Sequence, residues 1–174
     1  MGSPKALLEY RGETFVGRLV RVFSKFCDPV MVVAGRHADE IAGRISAKCV
    51  INPDPDRGQL SSLQTALVEL PDSIEAFLFT PVDSPSVAES TVATLIEVFR
   101  ASTPLIVIPK YRGKRGHPVL AAGSLVREFL ALAPAEETRV VVNRHADAIH
   151  YVEVEDRGVL ADIDDPAAYR ELVK

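Results

Sequence analysis

A chain of 174 residues that is 47% hydrophobic can bury one globular core, and its modest charge fraction gives no sign of disorder. A formal net charge of −4 argues against general affinity for nucleic acid or anionic lipid, and no apolar run approaches the roughly 20 residues that cross a bilayer. Lys5, Glu9, Arg11 and Glu13 leave no signal-peptide core, and Cys27 and Cys49 lack metal-ligand spacing, so two free buried thiols in a reducing cytoplasm are expected.

In chain order, Met1-Gly2-Ser3-Pro4-Lys5 sets a tight turn ahead of a lysine that either reaches phosphate oxygens or is merely solvated. Phe15, Leu19, Val22, Phe23 and Phe26 share one face of a helix. Val30–Ala34 reads as a strand apolar on both faces. Ala38, Ile41, Ala42 and Ile45 form another helical face, and Cys49–Ile51 a second strand. Asn52-Pro53-Asp54-Pro55 ends that strand. Gly58-Gln59-Leu60-Ser61-Ser62-Leu63 then opens a helix whose amides and hydroxyls either hold a nucleotide or only cap the helix.

Phe77-Leu78-Phe79 is a third strand, with Asp83 just beyond its carboxyl end between Pro81 and Pro85. Open α/β sheets bind ligands at such an edge, so Asp83 either holds Mg²⁺ or caps the next turn. Ser90-Thr91 is the expected N-cap of a helix through Val92, Leu95, Ile96 and Phe99, and Leu105–Ile108 is the next strand. Lys110, Arg112, Lys114 and Arg115 concentrate charge ahead of Gly116-His117-Pro118. They form either a solvated hairpin or a platform for an anionic second substrate near His117. A short antiparallel strand at Val119-Leu120, helices near 124–132 and 137–146, and an edge strand at Tyr151–Val154 follow. Asp162, Asp164 and Asp165 precede Pro166; Asp165 caps the last helix, and Asp164 is free to face Asp83.

The order of elements predicts a single domain, 1–174, of three-layer α/β architecture with a mostly parallel sheet. Such folds begin with a strand whose loop feeds phosphate to a helix, yet here the chain begins at the loop. A missing first strand exposes ladder groups on two neighbours, which must close together or be joined by a second chain, as in a homodimer.

Taken together the motifs resemble the molybdenum-cofactor nucleotidyltransferases, the cytidylyltransferase type most closely, with guanylyltransferase and sugar-phosphate relatives behind it. That family opens with a strand and then Leu-Ala-Ala-Gly-x-Ser-x-Arg-Met-Gly-x-Pro-Lys. Met1-Gly2-Ser3-Pro4-Lys5 matches its end, so the resemblance implies a start inside a longer enzyme. Gly58–Gln64 resembles the nucleotide-contacting segment, Pro81–Pro85 the metal-binding Asp motif, Arg115–Pro118 the motif after the sheet reverses, and Gly158–Pro166 the Asp-Ile-Asp-Thr-Pro motif. Asp165 replaces the threonine, and Pro55 stands where an aromatic residue is common.

The resemblance implies a Rossmann-like nucleotide-diphospho-sugar transferase fold lacking its first strand. It implies transfer of CMP from CTP (GTP being the other donor) to the phosphate of molybdopterin in the cytoplasm, with Mg²⁺ as cofactor. By it, Lys5 contacts the triphosphate and Asp83 with Asp164 holds Mg²⁺. Gly2, Asn52, Gly58, Gln59, Ser61 and Ser62 lie near the nucleotide, and His117 lies near the acceptor phosphate. Two alternatives carry different expectations: a non-catalytic chaperone for a phosphorylated cofactor, and a transferase acting on a sugar or alcohol phosphate.

Overall fold

A computed structural model describes residues 4–174. Met1, Gly2 and Ser3 lie outside the described residues.

The chain enters through a short 3-10 turn at Lys5–Leu7 and a hairpin of β1 (Glu9–Tyr10) and β2 (Glu13–Thr14) that the sequence reading did not anticipate. Its turn is Arg11-Gly12, both at positive φ (54° and 80°), the geometry that lets a two-residue turn follow the strand twist. The side chain of Thr14 then caps α1 (Phe15–Phe23) by accepting from the Gly17 amide at 3.1 Å. There follow β3 (Met31–Ala34), α2 (Ala38–Ala42), β4 (Lys48–Ile51), α3 (Gln59–Val68), β5 (Ala76–Phe79) and α4 (Glu89–Ser102). The second half holds β6 (Ile106–Tyr111), β7 (Lys114–Arg115), β8 (Val119–Ala122), α5 (Val126–Leu130), α6 (Arg139–Arg144), β9 (Ile149–Glu153) and α7 (Pro166–Leu172).

Strands β5, β6 and β9 share one direction: β8 runs antiparallel to both β5 and β6, and β9 pairs parallel with β6 as the edge strand. The pair β3 and β4 is parallel and separate, in register Met31 to Lys48 through Ala34 to Ile51. Strand alternation then sets three layers. Phe77, Ile106 and Ile108 face Leu60, Leu63 and Leu67 of α3 and Phe129 of α5, while Val107 and Leu120 face Leu95 of α4. Phe129 is fully buried and meets Phe77 and Phe79 edge-on, with ring centroids 5.7 and 6.0 Å away. Leu19, Val22 and Phe23 of α1 pack with Val92 of α4 on the side opposite α3.

The three-layer α/β architecture is therefore as expected. Among the described residues no strand pairs with the outer edge of β3 or of β5, and both edges border one cavity of about 790 Å³. Three local expectations are corrected. Both cysteines are free but only half-buried; burial still pushes their thiols up. Ser61 and Ser62 lie inside α3, whose N-cap is Gly58, so neither caps it. Ser90-Thr91 likewise lies inside α4, whose N-cap is Ala88. The cap there comes from far away: Asp156 Oδ2 accepts from the Ala88 amide at 2.8 Å and from the Thr91 hydroxyl at 2.7 Å. At α7 the expected arrangement holds, with Asp165 Oδ1 accepting from the amides of Ala167 and Ala168 and Pro166 first in the helix.

Candidate active site

The apolar run Phe77-Leu78-Phe79 makes β5 a buried strand, and Pro81 ends its ladder, so Asp83 emerges past the carboxyl end of the sheet. One main-chain and one side-chain hydrogen bond lock the turn that carries it to the segment ahead of α7. The Ile163 amide donates to the Asp83 carbonyl at 3.0 Å, and the Ser84 hydroxyl donates to the Ala161 carbonyl at 2.7 Å. A third segment joins where the His117 amide donates to the Val159 carbonyl at 2.8 Å. Three stretches distant in sequence thus converge at one edge.

The result is a cluster in which Asp83, Asp162 and Asp164 each place a carboxylate oxygen within 4.8 Å of the others. Asp83 is the enclosed member, with 18% of its side chain exposed against 67% for Asp164. Burial, then the charge of Asp162, pushes the Asp83 carboxyl above its ordinary value. Burial and the neighbouring Asp164 do the same to Asp162. Asp164 is held below the usual carboxylate value by a hydrogen bond from Lys5, whose Nζ lies 2.5 Å from its Oδ1 and 3.9 Å from Asp83. That bond also raises the lysine. Two disfavoured carboxylates beside a third make a set of hard oxygen donors whose mutual repulsion a divalent cation would relieve. The residues present fit such an ion.

The other expected residues divide. Gln59, Ser62, His117 and Asp83 line the same 790 Å³ cavity. Asn52 and Ser61 are buried and occupied with each other: Asn52 Nδ2 donates to the hydroxyls of Ser61 (2.8 Å) and Ser62 (3.1 Å), while its Oδ1 accepts from the Asp54 amide. The Ser61 hydroxyl lies 2.8 Å from the Gly58 carbonyl, which it can reach as donor. This network fixes the loop ahead of α3, with Gly58 at its turn. His117 is largely enclosed, which pushes its imidazole down, and its buried Nδ1 has no partner among the described residues. The basic run is a hairpin. Lys110 and Arg115 stand over the Tyr151 ring at 4.0 and 4.8 Å, and Arg112 over Tyr111 at 5.2 Å.

Two participants escaped the sequence reading. Asp162 joins the acidic cluster, a role that three carboxylates in one turn had signalled without saying which would point inward. The direct pairing of Lys5 with Asp164, 159 positions away, had no signal at all. No helix among the described residues is long and apolar enough to cross a membrane.

Comparison with known proteins agrees with this geometry. Residues 1–149 match the family of MobA-like NTP transferase domains. A Bacillus cereus protein named as a "Probable molybdenum cofactor guanylyltransferase" is 27% identical over 144 residues, covering 79% of this chain and 69% of its own. Among solved structures, Rv0371c from Mycobacterium tuberculosis superposes with a TM-score of 0.84 at 24% identity over 99% of this chain and 90% of that one. The same protein in complex with manganese gives 0.80 at 23%, covering 99% and 92%. Molybdopterin-guanine dinucleotide biosynthesis protein A from Archaeoglobus fulgidus gives 0.72 at 17%, covering 99% and 90%. With a nucleotidyltransferase fold and a family match over most of its length, the chain belongs to the MobA-like NTP transferase domain family.

Proposed function

We propose that residues 1–174 act as one domain that transfers a nucleoside monophosphate from a nucleoside triphosphate to the phosphate of a molybdopterin-type acceptor. One acceptor phosphate oxygen forms a bond to the α-phosphorus, the bond from that phosphorus to the bridging oxygen breaks, and pyrophosphate leaves. The single observation that carries the reading is the meeting of Asp83, Asp162 and Asp164 at the strand edge with Lys5 beside them. The family match and the names of the relatives support it. Those names favour GTP over the CTP that the sequence motifs suggested.

We assign Asp83, Asp162 and Asp164 as the holders of Mg²⁺, for which Mn²⁺ is a close substitute. When bound, such an ion neutralises charge on the transferring phosphate and orients the triphosphate. Lys5, released from Asp164, balances charge on the departing pyrophosphate. Gln59 and Ser62 offer polar groups to the nucleoside, while Asn52, Gly58 and Ser61 hold their loop in place. His117, kept neutral by its enclosure, offers Nδ1 to the acceptor. A nucleoside-triphosphate substrate fits a cytoplasmic setting.

The test is pyrophosphate release from each of the four nucleoside triphosphates with molybdopterin and with sugar phosphates as acceptors. Release that needs GTP, molybdopterin and a divalent ion is expected. Saturable molybdopterin binding with no release from any triphosphate would replace this reading with that of a cofactor chaperone.

A further inference from the structure

Asp162 sits between two tethers. The carbonyl of Ala161, in the peptide unit that leads into Asp162, accepts from the Ser84 hydroxyl at 2.7 Å. The amide of Ile163, in the peptide unit that leads out of it, donates to the Asp83 carbonyl at 3.0 Å. Consecutive residues of one turn thus hold the main chain on both flanks of Asp162. That turn is itself anchored: the Ser84 amide donates to the Pro81 carbonyl at 3.3 Å, and Arg18 Nε of α1 donates to the Pro85 carbonyl at 2.9 Å.

Of the two tethers, only that of Ser84 depends on a side chain. Ser84 is 1% exposed, so its hydroxyl has no bulk water to turn to and its proton is directed at Ala161. The bond works against a specific load. Asp83 and Asp162 carry like charges, each pushes the other's segment away, and their oxygens nevertheless stay within 4.8 Å. Donors of an ion must also be held to within about 0.5 Å by the groups behind them.

We propose that Ser84 is a positioning residue for the divalent ion: through the Ala161 carbonyl, its hydroxyl fixes the carboxylate of Asp162 against that of Asp83. Ser84 acts through Asp162 and is not itself a ligand. The inference rests on the reading of the three aspartates as an ion site, and the experiment separates the two.

The experiment is Mn²⁺ titration of the full chain, followed by electron paramagnetic resonance, for wild type, Ser84→Ala, Asp162→Asn and the double variant, with a melting temperature for each. Ser84→Ala is expected to weaken Mn²⁺ binding about tenfold in a folded protein. In the Asp162→Asn background it should add almost nothing, because both changes act on one donor. Ser84→Cys keeps the shape with a weaker donor, should fall between serine and alanine, and reads the same bond if Ser84→Ala does not fold. A lowered melting temperature with unchanged Mn²⁺ affinity makes Ser84 purely structural and overturns the inference. Fully additive effects of the two substitutions overturn it as well. Wild type that binds no Mn²⁺, or Asp162→Asn that binds it equally well, overturns the ion site and this inference with it.

Discussion

The main-chain carbonyl of Asp83 accepts the amide proton of Ile163 across 3.0 Å, so the turn after β5 and the turn before α7 move as one piece. The donor Ile163 lies between Asp162 and Asp164, and the bond is why these two aspartates, 79 and 81 positions beyond Asp83, present their carboxylates to it.

Replacing Asp83 separates function from stability. Its carboxyl is raised above the ordinary 3.8 by burial and by Asp162. Between the unfolded value and the raised one, the native state binds more protons, so stability falls as pH rises through that window and the loss is complete above it. Asp83→Asn removes the penalty. The expected outcome is a melting temperature at neutral pH above the wild type, by about 2–4 °C for each kcal/mol relieved, with turnover reduced about 10²-fold or more. A variant of unchanged turnover would contradict the role assigned to this carboxylate.

Gly116 is fixed by close approach. A Cβ at this position would stand 2.2 Å from the Val159 carbonyl oxygen, and main chain cannot step aside as a flexible side chain can. Gly116→Ala should therefore force apart the segments carrying His117 and the acidic turn, at a cost of about 1–3 kcal/mol. Denaturant unfolding measures the cost, and Gly43→Ala, at negative φ and with only ordinary contacts for a Cβ, serves as comparison.

Asp156 acts at a distance from its own element. Its two carboxylate oxygens accept from the amides of Ala88 and Gly158 and from the Thr91 hydroxyl. Asp156→Ala leaves the first turn of α4 without a side-chain cap and should lower stability by about 1–2 kcal/mol. Hydrogen exchange should show the loss concentrated at the start of α4.

Ser61 and Ser62 should behave differently although they are adjacent. Ser61 is buried among Asn52, Asp54 and Gly58, so Ser61→Ala removes the shorter of the two hydrogen bonds that Asn52 Nδ2 donates and should cost about 1–3 kcal/mol of stability. Ser62 lines the cavity and its hydroxyl accepts from Asn52 at 3.1 Å, so Ser62→Ala should raise KM for the triphosphate while costing less stability than Ser61→Ala.

Much of this fold was legible because buried strands such as Ile106-Val107-Ile108 are continuous apolar runs and because Asp165-Pro166 states a helix start in two residues. The carboxyl-edge position of Asp83 followed from strand order alone. What the chain did not disclose depends on partners far along it. Ser90-Thr91 looks like a cap, yet the cap is Asp156, 65 residues beyond Thr91. The hairpin at Glu9–Thr14 has strands too short to show a period, and its Arg-Gly turn reappears at Arg112-Gly113 with the same positive φ. Nor could spacing choose which aspartates of the last turn face inward, since that choice is made by the Asp83–Ile163 bond.

The central claim is that Asp83, Asp162 and Asp164 hold one divalent ion, and titration of the protein with Mn²⁺ followed by electron paramagnetic resonance tests it most directly. Wild type should bind one ion, and Asp83→Asn and Asp162→Asn should each weaken it at least about tenfold while remaining folded. Equal Mn²⁺ affinity in all three proteins would contradict the account.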